Sequence, residues 1–467
     1  MYLNESAALR VAIVGAGYSG SLIAVHLLRQ PQPVHIDIID TRLPGRGLAY
    51  STAWDDHLLN VPAARMSAFI SEPSHFLEWL KTHGQPQVQP ESFITRKIYG
   101  SYIQDVLQSA IRTASAGHRV RFHGSKAVRL THNGSSAQIL LNNGEQITAD
   151  RVILATGNPP PRPVEARSER TFASPWENGA ITGLEPNATV LLLGSGLTAV
   201  DAFLALRAQG HQGTVTCLSR RGKCSHVHTL YRILPEPFVP RGITSARHLL
   251  RAIRRRVTEA QAQGYDWRAV VDSLRPITNE IWTHFEPREQ ARVLRHLKTW
   301  WDIHRHRMAP EIGVKLEQAI KKRNLRFVAG RLRQITEQPD GLQLEVQLRS
   351  QGNTSLKVDR LITCTGSEAD YRRSTDPFVR SVMDAGRAQS SSIGPGLRTD
   401  RTGALIDSQD VPSNWLFAIG PPRFGELFET TAIPELRSQA EALANYLVST
   451  PFEPVEPPIE AYMAAGI

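Results

Sequence analysis

The chain has 467 residues, 41% apolar and 21% charged, which allows about two or three domains with ample core and excludes a disordered or fibrous protein. Its three cysteines show no C-x-x-C spacing, which excludes a disulfide framework and a dithiol reductase. The formal net charge of +10 is uneven, since residues 220–333 hold 25 Lys and Arg against 10 Asp and Glu. These basic residues spread over segments with an apolar face and accompany no nucleic-acid motif, so they suit an anionic small molecule and no nucleic-acid partner is expected.

The apolar run Val11 to Val14 leads into Gly15-Ala16-Gly17-Tyr18-Ser19-Gly20. Arg10 interrupts the apolar stretch before it, so the segment reads as a strand of the fold rather than a signal peptide. A glycine turn that follows a strand, opens a helix and meets a second strand about twenty residues on cradles the pyrophosphate of a dinucleotide. The turn at 15–20 meets every condition: a helix is expected from Ser19 to Arg29, then a strand from Val34 that ends at Asp40. A carboxylate there can bind the two ribose hydroxyls of adenosine, which suits FAD.

Val120 to His123 and Ala137 to Leu141, with Asn142-Asn143-Gly144 as a turn, read as antiparallel hairpin strands. The strand Arg151 to Leu154 follows and ends in Ala155-Thr156-Gly157, counted with the flavin site. Asn158 to Pro163 reads as a linker and closes a first segment at about residue 160.

A second turn of the same design, Gly194-Ser195-Gly196-Leu197-Thr198-Ala199, follows Val190 to Leu193. Its next strand ends in Ser219-Arg220-Arg221 with no acid. A guanidinium at that place can grip the 2′-phosphate that a carboxylate would repel, so the second site suits NADPH. Two such sites in one chain imply electron transfer between two nucleotides.

Residues 245–325 are expected to be mainly helical, with Val293, Leu294, Leu297, Trp300 and Trp301 on one apolar stripe, both tryptophans in the core, and Pro310 stopping the run. His304 and His306 do not share a helix face, so no metal site is expected. Arg305 and Arg307 suit either recognition of an anionic substrate or a helix-to-helix ion network. A hairpin is expected over 342–348 and 354–358, and the strand from Arg360 ends in a second Thr-Gly pair at Thr365-Gly366.

Trp415 to Gly420 and Glu429 to Arg437, with a helix to Leu447, resemble the closing strand and helix of two-nucleotide flavoproteins. There the helix N-terminus faces the pyrimidine end of the flavin, with Thr430 and Thr431 as donors. The expected fold is therefore α/β: two Rossmann-like dinucleotide-binding domains, for FAD and NADPH, with inserted antiparallel hairpins and a helical segment. The FAD domain takes residues 1–160 and 412–467. The NADP domain takes 161–411, including a helical insertion at about 225–325.

The stretches 45–51, 57–63, Met66-Ser67, 301–310 and 429–437 together resemble the bacterial FAD/NAD(P)-binding proteins of the YdhS-like group, which are similar to class B flavin monooxygenases. The resemblance covers nearly the whole chain. It implies that Asn60, Val61, Met66 and Ser67 line the flavin and that Thr41 and Arg42 flank the adenosine ribose. Some similar proteins oxidise amino-acid nitrogen. The Gly and His of the Baeyer-Villiger signature are missing around Thr171 to Trp176, and the marks of ornithine and lysine hydroxylases at the first turn and second Thr-Gly are missing too.

The expected activity is an NADPH-dependent FAD monooxygenase that uses dioxygen, through a flavin oxygen adduct, on a small polar or anionic substrate, with N-oxidation as one form. A flavin dehydrogenase or reductase with another acceptor and a non-catalytic flavin-binding sensor or partner stay open. No apolar run reaches the roughly 18 residues of a membrane span, and a cytoplasmic enzyme is expected.

Overall fold

The computed structural model describes residues 8–164 and 168–450, so the expected domain ends at 1–7 and 451–467 lie outside the described residues. Two sheets organise the chain. The first holds β1 (Leu9–Val14), β2 (Val34–Ile39), β3 (Arg119–His123), β7 (Arg151–Leu154), β15 (Ala404–Ile406) and β16 (Pro412–Ala418), in the order β15-β16-β7-β1-β2-β3. All its neighbours are parallel except β15 with β16. Val11 to Ile13 are fully buried, as a central parallel strand covered on both faces demands.

The helix Tyr18–Leu28 is buried along its whole length because the sheet lies on one side and the helices Arg96–Thr113 and Ile433–Ser449 on the other. Against the opposite face packs a small antiparallel sheet of β4 (Ala127–His132), β5 (Ala137–Leu141) and β6 (Gln146–Ala149). The expected strand at 120–123 is thus not part of a hairpin. It is β3, a parallel edge strand on β2, whose half-exposed edge position gives it the alternation a hairpin would also have.

The second sheet has the order β13-β12-β11-β10-β9-β14-β8, with β8 (Thr171–Phe172), β9 (Val190–Leu193), β10 (Val215–Ser219), β11 (Leu325–Gln338), β12 (Gly341–Leu348), β13 (Gly352–Val358) and β14 (Arg360–Thr363). β11 pairs parallel with β10 through Ala329 and antiparallel with β12 from Gly330 onward, so the expected hairpin extends the sheet rather than standing apart. The helix Pro310–Lys321 packs in the core of this second unit as the crossover between β10 and β11.

The helical insertion precedes that crossover, with helices Ala246–Ala262, Trp267–Ser273, Thr278–His284, Pro287–Arg292 and Lys298–Arg305. Between the last two, Val293–Leu297 forms a π-turn. Pro310 therefore starts a helix at its first turn, where proline fits, and does not stop the preceding run, which ends at Arg305. The π-turn also shifts the register of the stripe: Val293 is buried, but Trp300 is 43% exposed and not a core residue.

The chain rejoins the first unit before residue 412. Tyr371, Phe378, Val379, Val382, Leu397 and Leu405 share a core with the β4-β5-β6 sheet, and Ser381 Oγ accepts the Leu130 N–H at 3.0 Å. This return escapes pattern reading because 371–405 hold two short helices and isolated bridges rather than a long periodic element. Among the described residues, no helix is long and apolar enough to cross a membrane.

Candidate functional site

The two glycine turns have the same construction. Gly15 has φ +108°, and a Cβ there would stand 2.3 Å from Ala155 O; Gly194 has φ +133°, and a Cβ would stand 2.2 Å from Cys364 O. In each, the strand that ends in Thr-Gly docks the same way, with Ala155 N–H donating to Val14 O at 2.9 Å and Cys364 N–H to Leu193 O at 2.8 Å. A Cβ at Gly20 would meet Gly15 O at 1.9 Å, so the first turn closes tightly under its helix.

Both helices begin without a side-chain cap, on Gly17 and Gly196, and neither has an acid in its first turn. Their leading N–H groups are thereby left for an anion, the arrangement that binds pyrophosphate. Nothing lies within 4 Å of a Cβ built at Gly196, and Leu197 and Thr198 follow it half-buried. At the first turn the loop at Gly45–Gly47 passes close by: Gly45 N–H donates to Ala16 O at 2.8 Å, and Gly47 lies against Gly17.

The strand ends differ in charge. Asp40 accepts the Ala16 N–H at 2.8 Å through one oxygen and the Arg42 N–H at 2.9 Å through the other, so this carboxylate braces the turn it serves. Thr41 and Arg42 are exposed beside it. In the second unit Ser219 takes the equivalent place. Ser195 Oγ donates to Lys223 O at 2.6 Å and lies 2.8 Å from Ser219 Oγ, tying the turn to the loop after β10.

Arg220 is exposed on that loop, whereas Arg221 is half-buried, donates to His296 O at 3.2 Å and lies over the Trp300 ring. The expected pair of phosphate-binding arginines is thus split: Arg221 anchors the helical insertion, and Lys223 stands where sequence reading placed no cation.

Gly420, with φ +74°, brings the end of β16 against the first turn, since a Cβ there would lie 3.1 Å from Ser19 Oγ. Its carbonyl accepts the Thr430 hydroxyl at 2.9 Å, and Gln439 binds both residues. Thr430 is buried in this network and Thr431 is exposed beyond it. Thr156 is exposed on the neighbouring strand end, and Gly157 adopts φ +67°.

Tyr18 turns away from the turn and stacks with Tyr99 at 6.2 Å. Met66 and Ser67 are 1% and 0% exposed. The Ser67 hydroxyl is spent on Phe69 and Glu72 carbonyls, and its own carbonyl accepts Arg437 Nη1 at 3.0 Å. These two hold the loop from beneath and offer no surface to a flavin, contrary to the expectation. Asn60 and Val61 are half-buried, and Asn60 O accepts His228 Nε2 at 3.0 Å.

The helical insertion forms a third wall, tied to the segment before the final helix. Asn279 accepts the Glu429 N–H and donates to the Glu429 carbonyl, both at 2.9 Å. Arg275 grips Glu435 with two hydrogen bonds of 2.7 and 2.9 Å. Trp282 Nε1 donates to Gly425 O at 2.7 Å.

Glu429 itself is buried and accepts Trp301 Nε1 at 2.6 Å, with His306 Nε2 at 3.6 Å. Burial alone would raise its pKa, but the His306 contact, the Arg305 charge and the Trp301 bond together hold it down at about 2. Sequence reading noted Glu429 only as the start of a motif, because its partners lie over a hundred residues away.

Arg305 is 8% exposed and lies within the field of Glu429, Asp272 and Glu435, and its Nε has no partner. Arg307 is 1% exposed and pairs with Asp272, which also accepts the Tyr231 hydroxyl. Of the two readings for these arginines, the ion network is the one that Arg307 follows. Only Arg305 is left beside the segment that leads to Thr430.

The chain is similar to known proteins in two ways. A sequence family described as FAD-NAD(P)-binding matches residues 12–159. Nitrosuccinic acid synthase npaA of Aspergillus oryzae is 26% identical over 235 residues, 44% of this chain and 36% of that protein. L-aspartate N-monooxygenase (nitrosuccinate-forming) of Streptomyces cremeus is 26% identical over 254 residues, 44% of this chain and 38% of that protein. YdhS of Escherichia coli (strain K12) is 25% identical over 219 residues, 43% of this chain and 40% of that protein. Each match spans well under two thirds of the relative's length. Among solved structures, L-lysine 6-monooxygenase from Pseudomonas syringae has a TM-score of 0.65 at 15% identity, covering 95% of this chain and 99% of that one. The resemblance to FAD/NAD(P)-binding proteins, YdhS among them, therefore stands over 43–44% of the chain in sequence, and the likeness over nearly its whole length is one of fold.

Proposed function

We propose that the protein is an NADPH-dependent FAD monooxygenase that oxidises the amino nitrogen of a small anionic amino acid. The observation that carries the reading is the pair of uncapped glycine turns, alike in backbone, of which the first has the acid Asp40 at the next strand end and the second has neutral Ser219 followed by Arg220. Gly15, Gly17, Ser19 and Gly20 would hold the FAD pyrophosphate, Asp40 its ribose, and Gly420, Thr430 and Thr431 the ring end. Gly194, Gly196, Leu197 and Thr198 would hold the NADPH pyrophosphate, with Arg220 and Lys223 on its 2′-phosphate.

Bound FAD would supply the redox and oxygen chemistry. The chain's own part is to position and enclose. The insertion is tied to the segment around Thr430 through Trp301 on Glu429 and Arg275 on Glu435, and it would shield that side of a bound flavin from water. Arg305 offers a positive charge for a carboxylate of the substrate. The curated relatives named for nitrosuccinate support an amino nitrogen as the oxidised centre and a dicarboxylic amino acid as the substrate class.

The test is NADPH oxidation with and without L-aspartate and L-glutamate, with peroxide and oxidised nitrogen measured in parallel. Nitrogen oxidation matched to NADPH consumption is expected. Reduction of dioxygen to one peroxide per NADPH oxidised, with no oxidised nitrogen from either amino acid, would reject the substrate, and reduction of an added acceptor without oxygen uptake would favour a reductase.

A further inference from the structure

Trp300 is left over from the expected core, and its surroundings give it a use. Trp300 and Trp301 are consecutive residues of the helix Lys298–Arg305, where neighbours point about 100° apart, so they face different partners. Trp301 reaches Glu429 on the flavin side. Trp300 reaches the loop after β10, where the Arg221 guanidinium lies 5.6 Å and the Lys223 ammonium 5.9 Å from its ring centre.

That loop is bound to the second glycine turn through Ser195, which contacts both Ser219 and Lys223. The ring therefore stands at the carboxyl end of β10, where the adenosine of a dinucleotide lies in this fold. An aromatic group that served only to tether the insertion would gain by full burial, yet Trp300 is 43% exposed, with the His304 ring 6.5 Å from its own. Arg220 is exposed on the same loop, and Arg221 Nη1 is buried without a hydrogen-bond partner.

We propose that Trp300 is the adenine shelf of the second nucleotide site: the purine of NADPH stacks on its open face, and Arg220 and Lys223 hold the adjoining 2′-phosphate. The proposal rests on the NADPH reading above and names a residue that the glycine motif does not contain. The insertion then links both cofactor sites through consecutive side chains.

The test uses the FAD-loaded full chain titrated calorimetrically with 2′,5′-ADP and with 5′-AMP. Trp300→Leu and Trp300→Ala should weaken both ligands on the order of tenfold, the usual loss when a base loses its aromatic platform. Trp300→Phe, which keeps a π face, should bind both nearly as the native protein does. Arg220→Ala should weaken 2′,5′-ADP alone. Native affinity in Trp300→Leu would overturn the shelf while leaving the NADPH site in place. Failure of the native protein to bind 2′,5′-ADP or NADPH would instead overturn the site itself and the shelf with it. A variant that lost affinity only in proportion to a lowered Tm, with Trp300→Phe no better than Trp300→Leu, would assign the ring to tethering and overturn the proposal.

Discussion

Arg96 Nη1 lies 2.7 Å from Asp201 Oδ2, and this ion pair joins the helix Arg96–Thr113 of the first unit to the helix Leu197–Ala208 of the second. The Asp201 carbonyl also accepts His57 Nε2 at 2.8 Å, while His57 Nδ1 lies 2.7 Å from the Thr52 hydroxyl. Since a carbonyl only accepts, Nε2 carries the proton and Nδ1 accepts from Thr52. Burial lowers the His57 pKa and keeps the ring neutral in this arrangement. Relative placement of the two nucleotide turns thus depends on a charge pair that water scarcely reaches.

Removing one partner strands the other. Arg96→Ala should cost about 3–5 kcal/mol and slow flavin reduction by NADPH. The double replacement Arg96→Met with Asp201→Leu should recover much of that stability, because neither charge is then left buried alone. Thermal melts of the two single variants and the double variant check this, and strictly additive losses would show that the residues are not coupled.

Neighbouring glycines of the second turn should respond in opposite ways. Gly194→Ala drives a methyl to within 2.2 Å of Cys364 O at φ +133° and should destabilise by about 3 kcal/mol or more. Gly196→Ala meets no atom within 4 Å, so Tm should hold while the added methyl obstructs the approach of the pyrophosphate and raises KM for NADPH. Melting curves and steady-state kinetics of both variants give the comparison.

Arg307 and Arg305 should likewise separate. Arg307→Met leaves the half-buried Asp272 beside Tyr231 without its cation, and it should lower Tm and flavin retention together. Arg305→Met should spare flavin content and weaken substrate-dependent turnover about tenfold to a hundredfold, the loss expected for one charged hydrogen bond. Equal losses of flavin in the two variants would remove Arg305 from the substrate site.

Acid should loosen the fold through histidines before it reaches Glu429. Burial lowers His26 and His228 from 6.5 to about 4, so the unfolded chain binds protons that the native chain refuses. Their contribution is complete above about pH 6.5 and is lost as pH falls from there to about 4. Glu429, held at about 2, loses its contribution only below its ordinary value of 4.5. Tm should therefore decline between pH 6.5 and 4, and His228→Gln should flatten that decline; an unchanged slope in the variant would contradict the assignment.

Local features were legible in the residues, and distant pairings were not. Gly15, Gly194 and Asp40 stand in short motifs whose backbone demands are set by adjacent strands, so spacing was enough to place them. Met66 and Ser67 were placed by resemblance, which marks a loop but not the side on which its side chains lie. Trp300 was assigned to the core because helical periodicity carries on past Leu297, whereas the π-turn breaks that count. Arg96 and Asp201 are separated by more than a hundred residues, and no pattern in one chain joins them. The return at Tyr371 was missed for want of a periodic strand.

The most direct test of the account is anaerobic mixing of the purified protein with NADPH while the visible flavin band is followed. The account predicts a yellow protein holding one FAD per chain, bleached by NADPH faster than by NADH, with the preference reduced in Arg220→Ala. A colourless protein that takes up no FAD, or a flavin that NADPH leaves oxidised, would contradict it.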